Sequence, residues 1–268
     1  MDELLKKEEK LEEILRGLGS GALAFSGGVD SAYLLHEARK VLGSRAAAVT
    51  IRLASVPERE LDGAAAFCRE RGIPQTVIAL DQFRVPGFAE NPPDRCYLCK
   101  RRLFLALKAY AEEEGLAAVM DGTNLDDAGS YRPGLRAIEE LGVRSPLREA
   151  GMTKADIRAL AKRAGLSVWS KPAFACLATR FPYGERITEE KLRMAEAAED
   201  FLWKEGFIQS RVRMHGDLAR IEVPEDDLPR LFAMRKKTAE ALRRIGFTYV
   251  AMDLMGYRMG SMDEARAR

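Results

Sequence analysis

Two of the four cysteines in this chain stand three residues apart in "PDRCYLCK", as Cys96 and Cys99, with Lys100 directly after them. A C-x-x-C can hold zinc, form a redox disulfide, contribute to an iron–sulfur cluster, or do nothing. On a helix, positions i and i+3 share a face, and Lys100, at i+4 from Cys96, joins them. A third thiol, Cys176, lies in the proline-flanked loop "KPAFACLATRFPYG", and such loops often carry function. Cys68, among apolar residues in "AAAFCRERG", reads as helix packing. Structural zinc asks for four ligands, and three thiols are at hand. His36 and His215, the two histidines, read as a helix residue and a hairpin residue. A disulfide between Cys96 and Cys99 would leave Cys176 without a role. Iron–sulfur clusters are held by cysteine thiolates, four for a 4Fe–4S cube, so three would leave one iron open. Three unrelated thiols is the remaining reading, and the residues alone do not choose among these.

A second stretch concerns phosphate. In "AFSGGVDS" a strand ends at Ser26, and Gly27, Gly28 and Val29 lead to Asp30 and Ser31 at a helix start. The glycines let backbone approach an anion and take positive φ. The helix offers unpaired N–H groups and a positive dipole end, worth roughly 0.3–1 kcal/mol per anionic group. The Ser26 and Ser31 hydroxyls add donors. No lysine closes the turn, so it is not G-x-x-x-x-G-K-[ST], nor is it G-x-G-x-x-G. The plain alternative is a tight, capped strand–helix turn.

The surrounding elements must position these groups. Strand patterns at "GALAFS", "AAAVTIR", "PQTVIALD" and "LAAVMDG" alternate with amphipathic helices, which predicts an α/β fold with a doubly wound parallel sheet. The amphipathic "MDELLKKEEKLEEILRGLG" opens it, a short strand is expected near Val143, and Thr153 to Asp156 has capping-box spacing. After about residue 185 a helix is followed by two strands around His215-Gly216-Asp217, then by the helix "EDDLPRLFAMRKKTAEALRRIG" and the strand "FTYVAMDL". The expected division is 1–185 and a smaller α+β domain at 186–268.

Composition narrows the class. The formal net charge is only +2 with no basic block, which speaks against a nucleic-acid partner. No apolar run approaches a membrane span, and the opening residues lack the apolar core of a secretory leader. A cytoplasmic protein is expected, where cysteines serve as thiols or metal ligands more often than as disulfides.

"SGGVDS" resembles the PP-loop of the ATP pyrophosphatase superfamily, of adenine nucleotide alpha hydrolase-like fold. "DGTNLDD", after the fourth strand, is similar to its second phosphate-side motif. The resemblance implies ATP held by Ser26, Gly27, Gly28, Val29, Asp30, Ser31, Gly122, Thr123 and Asn124, with Ser55 near adenosine. It implies Mg²⁺ at Asp30 and Asp127, with Asp30 also catalytic.

"RCYLCK", "KPAFACLATRFPYG", "RVRMHGDLARIEVP" and "FTYVAMDLMGYRMGSM" together resemble the LarE family. Its members are ATP-dependent sulfur transferases of nickel-pincer nucleotide synthesis. The resemblance implies adenylation of the carboxylates of pyridinium-3,5-biscarboxylic acid mononucleotide and their conversion to thiocarboxylates. It implies Cys176 and Lys100 in catalysis, Arg180, Arg211 and Arg213 on the substrate phosphate, and a homo-hexamer. One version of the family gives up the sulfur of a lone cysteine matching Cys176. The other uses three cysteines to hold a 4Fe–4S cluster carrying sulfide from an external donor. Cys96 and Cys99 place this chain with the second. Its rivals are a sacrificial Cys176, a PP-loop tRNA thiolase and a non-catalytic iron–sulfur carrier.

Overall fold

The computed structural model describes residues 3–129 and 133–262. Two compact units divide the chain, Met1–Pro86 with Asp94–Ala173, and Gly87–Pro93 with Phe174–Arg268. The sequence pattern placed the division at 185/186. Its segment 263–268, and residues 130–132 of the loop after the fourth strand, lie outside the described residues.

The first unit is α/β. In chain order it comprises α1 (Glu3–Leu18), β1 (Gly21–Ala24), α2 (Val29–Leu42), β2 (Ala46–Arg52), α3 (Glu58–Glu70), β3 (Gln75–Ala79), α4 (Arg95–Glu113), β4 (Ala118–Met120), α5 (Pro133–Glu140), α6 (Pro146–Glu149) and α7 (Lys154–Arg163). The four strands are parallel, in the order β3-β2-β1-β4. Strands buried on both faces read as apolar runs, and helices cover each face of this sheet. Leu11 and Leu15 of α1 pack with Leu34 and Leu35 of α2 and Ile157 and Leu160 of α7. Phe104 and Leu107 of α4 and Ile138 of α5 pack on Val49 and Ile51 of β2. Val143 belongs to no strand; one isolated bridge joins Met120 to Arg144. The capping box at α7 is present, with Thr153 and Asp156 each bonded to the other's backbone N–H.

Strand order reverses between β1, which leads outward to β2 and β3, and β4 on its other side. In open parallel sheets such a switch point leaves a crevice beyond the carboxyl ends of the strands, where ligands bind. The turn from β1 to α2 and the loop after β4 both emerge there.

The second unit is α+β. It contains α8 (Glu189–Lys204), β5 (Arg211–His215), β6 (Leu218–Glu222), α9 (Leu228–Ala233), α10 (Arg235–Ile245) and β7 (Tyr249–Met252). β5 and β6 form the hairpin expected around Gly216, and β7 returns parallel to β6. The single helix expected over 225–246 is two, because the chain breaks helical geometry at Met234. Segment 87–93 joins this unit through Asn91. Its buried side chain donates to the Pro182 carbonyl at 2.7 Å, and its own carbonyl accepts from Gly184 N–H at 2.9 Å. No helix among the described residues is long and apolar enough to cross a membrane.

Candidate active site

The phosphate turn is built as a braced loop. Gly27 has φ +71°, and a Cβ there would sit 2.9 Å from Cα and Cβ of Ala64 on α3. Gly27 is therefore required twice, for its backbone angle and for close packing. Gly28, expected to share that freedom, is extended at φ −79° and caps α2; its small size leaves the helix mouth open. Ser31, almost wholly buried, donates its hydroxyl to the Gly28 carbonyl at 3.1 Å and accepts from Ser26 N–H at 3.3 Å. Its donor is thus committed to the loop. Ser26 is exposed, with its Oγ 3.1 Å from that of Ser31. Val29 is buried under the first turn of α2.

The loop after β4 closes on this turn. A Cβ on Gly122 would meet the Ser31 nitrogen at 3.0 Å, so this backbone abuts the start of α2. Asp121 is held by the Thr123 hydroxyl and by Ser145 Oγ at 2.7 Å. Asn124 N–H donates to Asp127 Oδ2 at 3.0 Å, and Asn124 Oδ1 accepts from Asp126 N–H at 3.0 Å. The backbone of this motif is thus locked by its own side chains.

Asp30 receives the ammonium of Lys154, the first residue of α7. Its other oxygen, Oδ1, is buried without a hydrogen-bond partner. Burial raises the Asp30 pKa and the charge of Asp127 adds to this, while Lys154 opposes both. A buried carboxylate oxygen left over beside a second carboxylate suits a divalent cation, and Mg²⁺ needs only one or two protein carboxylates.

Ser55 is fully buried, and its N–H donates to Gln82 Oε1 at 2.9 Å. Thr50, at the β2 end expected near adenosine, ties that strand to the turn by donating to the Phe25 carbonyl at 2.8 Å.

The thiols sit as the spacing predicts, in the first turns of α4. Gln82 Nε2 donates to Cys99 Sγ at 3.1 Å, and Arg95 Nη2 approaches Cys96 Sγ at 3.7 Å. Lys100 lies across α5, where a Cβ on Gly134 would come 2.6 Å from its Cδ. Glycine there leaves room for the lysine stem. All four cysteines are thiols, none in a disulfide, and Cys68 is buried between α3 and the core. Among the described residues, no group of three or more His, Cys, Asp or Glu is gathered as a metal site. In donor chemistry the pair on α4 suits a thiolate-held metal, since each sulfur faces an N–H that favours an acceptor.

In the second unit the predicted basic residues are buried, not a solvated face. Arg180 is 0% exposed and forks onto Glu199 of α8 at 2.6 and 2.9 Å. Its Nη1 donates to Thr179 Oγ1 at 2.7 Å and reaches the Cys176 carbonyl at 3.4 Å. Arg213 pairs with Glu222 at 2.9 Å and donates to the Thr179 carbonyl at 3.1 Å. Arg211 lies between the rings of Phe174 and Tyr257. Burial and the neighbouring Arg180 lower its pKa, with Glu199 opposing. Glu199 is itself held below the usual carboxylate range, because Arg180 and Val212 N–H outweigh its burial. Cys176 opens the short 3-10 turn Leu177–Arg180, so its backbone is anchored by this arginine network.

No protein-family model matches the chain. It is 37% identical over 265 residues to a pyridinium-3,5-bisthiocarboxylic acid mononucleotide synthase of Lactiplantibacillus plantarum, covering 98% of this chain and 96% of the relative. The chain belongs to the LarE family. An uncharacterised Synechocystis protein is 38% identical, covering 97% of this chain and 98% of its own. A tRNA-specific 2-thiouridylase of Acidithiobacillus ferrooxidans is 34% identical over 182 residues, 56% of this chain and 51% of that one. The similarity to the LarE synthase is end to end, whereas the thiouridylase is matched over half. The chain is accordingly an enzyme, and its parallel sheet and phosphate turn are those of a PP-loop fold.

Several groups in the two units carry little local signal. Lys154, Lys171 and Gln82 reach the motifs of the first unit from distant sequence; in the second, Glu199 reaches Arg180 from another element and Glu222 pairs with Arg213 across the hairpin. For the glutamates a weak cue existed: basic residues in a buried element call for acidic partners.

Proposed function

We propose that this chain is an ATP-dependent, AMP- and pyrophosphate-forming sulfur transferase acting on the carboxylates of pyridinium-3,5-biscarboxylic acid mononucleotide. What supports this most is the end-to-end similarity to a synthase named for the bisthiocarboxylic product, in a chain with a braced phosphate turn at its switch point. A substrate carboxylate oxygen attacks the α-phosphorus, and the bond to the β-phosphate breaks. The departing pyrophosphate is held by the backbone of Gly27 and Gly28 and the exposed Ser26 hydroxyl, with Gly122, Thr123 and Asn124 on the other wall. Asp30 and Asp127 would hold Mg²⁺, which spreads the developing charge. Sulfide then adds at the acyl carbon and AMP leaves, giving the thiocarboxylate.

The sulfur route is read from the three thiols. Cys96, Cys99 and Cys176 would hold a 4Fe–4S cluster, which would supply the sulfide. Arg211 would hold the substrate phosphate, since a guanidinium forks onto phosphate oxygens, while Arg180 and Arg213, paired with Glu199 and Glu222, would add positive charge behind it. Lys100 would offer its ammonium to the reacting groups. The family resemblance adds a homo-hexamer working in the cytoplasm, which light scattering can check for assembly.

The test is anaerobic purification with iron and sulfide analysis, then pyrophosphate release with ATP and the nucleotide substrate. Iron in wild type that is lost in Cys96→Ala, with pyrophosphate formed, is the expected result. Dehydroalanine at Cys176 without iron would replace the cluster by a sacrificial cysteine. Absence of pyrophosphate would overturn the enzyme chemistry. A salt-dependent shift of tRNA would favour the thiolase.

A further inference from the structure

The phosphate turn lacks the lysine that closes other anion turns, yet the fold delivers one. Lys171 follows the 3-10 turn Ser167–Ser170, and its Nζ lies 3.3 Å from the carbonyl oxygen of Gly27 and 2.8 Å from Glu60 of α3. The same nitrogen would be 3.6 Å from a Cβ at Gly63, so the ammonium lies over α3 at Gly63, beside the turn. Its backbone is fixed from another direction. Arg158 of α7 donates to the Trp169 carbonyl at 2.7 Å and to the Lys171 carbonyl at 2.8 Å.

We propose that Lys171 is a polyphosphate-binding residue, supplying to the β- and γ-phosphates of ATP, and to departing pyrophosphate, the cation that the turn's own sequence lacks. This rests on the ATP reading given above. An ammonium has three donors. Two are directed at Glu60 and Gly27, and the third can meet an anion over the turn without breaking the ion pair. Glu60 thus acts as the holder that keeps a long, flexible side chain at the mouth of the loop. Lys154, paired with Asp30, stands at the carboxylate and is a separate contact. A plain stabilising Lys171–Glu60 pair is the rival role, and ligand choice separates the two. A phosphate-binding lysine discriminates pyrophosphate and ATP from AMP; a stabilising pair does not.

The experiment is calorimetric titration of the full chain with Mg²⁺-ATP, Mg²⁺-pyrophosphate and AMP, for wild type, Lys171→Met, Lys171→Gln and Lys171→Arg. Loss of one charge-assisted contact predicts ATP and pyrophosphate affinities weaker by about 10- to 100-fold in the Met and Gln variants. AMP affinity should stay within about twofold, and Arg should recover part of the loss by keeping the charge. Met and Gln variants that bind pyrophosphate as wild type does would overturn the proposal. So would equal losses for all three ligands, which would mark a structural pair. A wild type that binds neither ATP nor pyrophosphate would sink the ATP reading, and this inference with it. Failure of Lys171 alone leaves wild-type ATP binding intact.

Discussion

The Gln82 side chain joins the Ser55 loop to the Cys99 sulfur, accepting from Ser55 N–H at 2.9 Å and donating to Sγ at 3.1 Å. A backbone N–H can only donate, so the amide oxygen must face Ser55 and the amide nitrogen must face Cys99. The amide is almost wholly buried and cannot turn over without losing both bonds. Cys99 is therefore held as an acceptor, the state a thiolate ligand needs. Gln82→Leu should lower the iron retained after anaerobic reconstitution by roughly tenfold in affinity, the lower end of the effect of outer partners on metal sites. Gln82→Glu should retain less still, because a carboxylate would face the sulfur. Iron per chain after gel filtration, with circular dichroism to confirm folding, reads this. Wild-type iron content in both variants would refute it.

The two glycines of the phosphate turn should behave differently. Gly27→Ala places a Cβ 2.9 Å from Ala64 at φ +71°, combining a clash with a backbone angle that costs roughly 1–3 kcal/mol. Gly28 has an ordinary φ of −79°, and its nearest obstacle is Ser26 Oγ at 3.5 Å. Gly28→Ala should fold with stability within about 1 kcal/mol of wild type while weakening ATP, because its methyl intrudes at the helix mouth. Urea unfolding of each variant, paired with ATP titration, separates the two effects. Equal destabilisation would show that the backbone angle does not matter here.

Arg180 and Glu199 form a buried fork, 0% and 1% exposed. Removing one partner strands a charge, which typically costs about 3–5 kcal/mol. Glu199→Ala should therefore unfold the second unit at markedly lower urea, and Arg180→Met should be milder because an apolar chain fills the space. Thermal melts of the single and double variants give the coupling energy. Additive losses would mean that the pair does not act as a unit.

How far the sequence disclosed this site follows from how local each signal is. "SGGVDS" is a strand end, a turn and a helix start within eight residues, and such motifs read directly. So do the strand–helix alternation and the Thr153–Asp156 capping box, which depend on neighbours in the chain. Lys154, Lys171 and Gln82 do not read, because their meaning comes from partners 124, 144 and 17 residues away. Arg211 and Arg213 alternate along β5, and charged residues on a strand ordinarily face solvent. β5 is instead buried along both faces at positions 211 to 214, so acidic partners replaced water. Gly27 and Gly28 were indistinguishable as letters, since only packing against Ala64 tells which one must lack a side chain.

Cys68 offers a test of the thiols' separate roles. Burial alone pushes its pKa from 9.0 up to about 11, so the fold prefers the neutral thiol. The unfolded chain ionises above about pH 9, while the folded chain holds its proton to about 11. The stability this contributes is complete below pH 9 and is lost as pH rises through 9 to 11. Wild type should therefore lose stability relative to Cys68→Ala across that window and hold a constant difference from pH 6 to 8. Urea midpoints at half-unit pH steps measure the difference. In the folded, cluster-free protein at pH 7, iodoacetamide should label the half-buried Cys96, Cys99 and Cys176 and spare Cys68, as peptide mass spectrometry would show. Rapid native labelling of Cys68, or a pH-independent difference from Cys68→Ala, would remove it from the core and reopen its place among the working thiols.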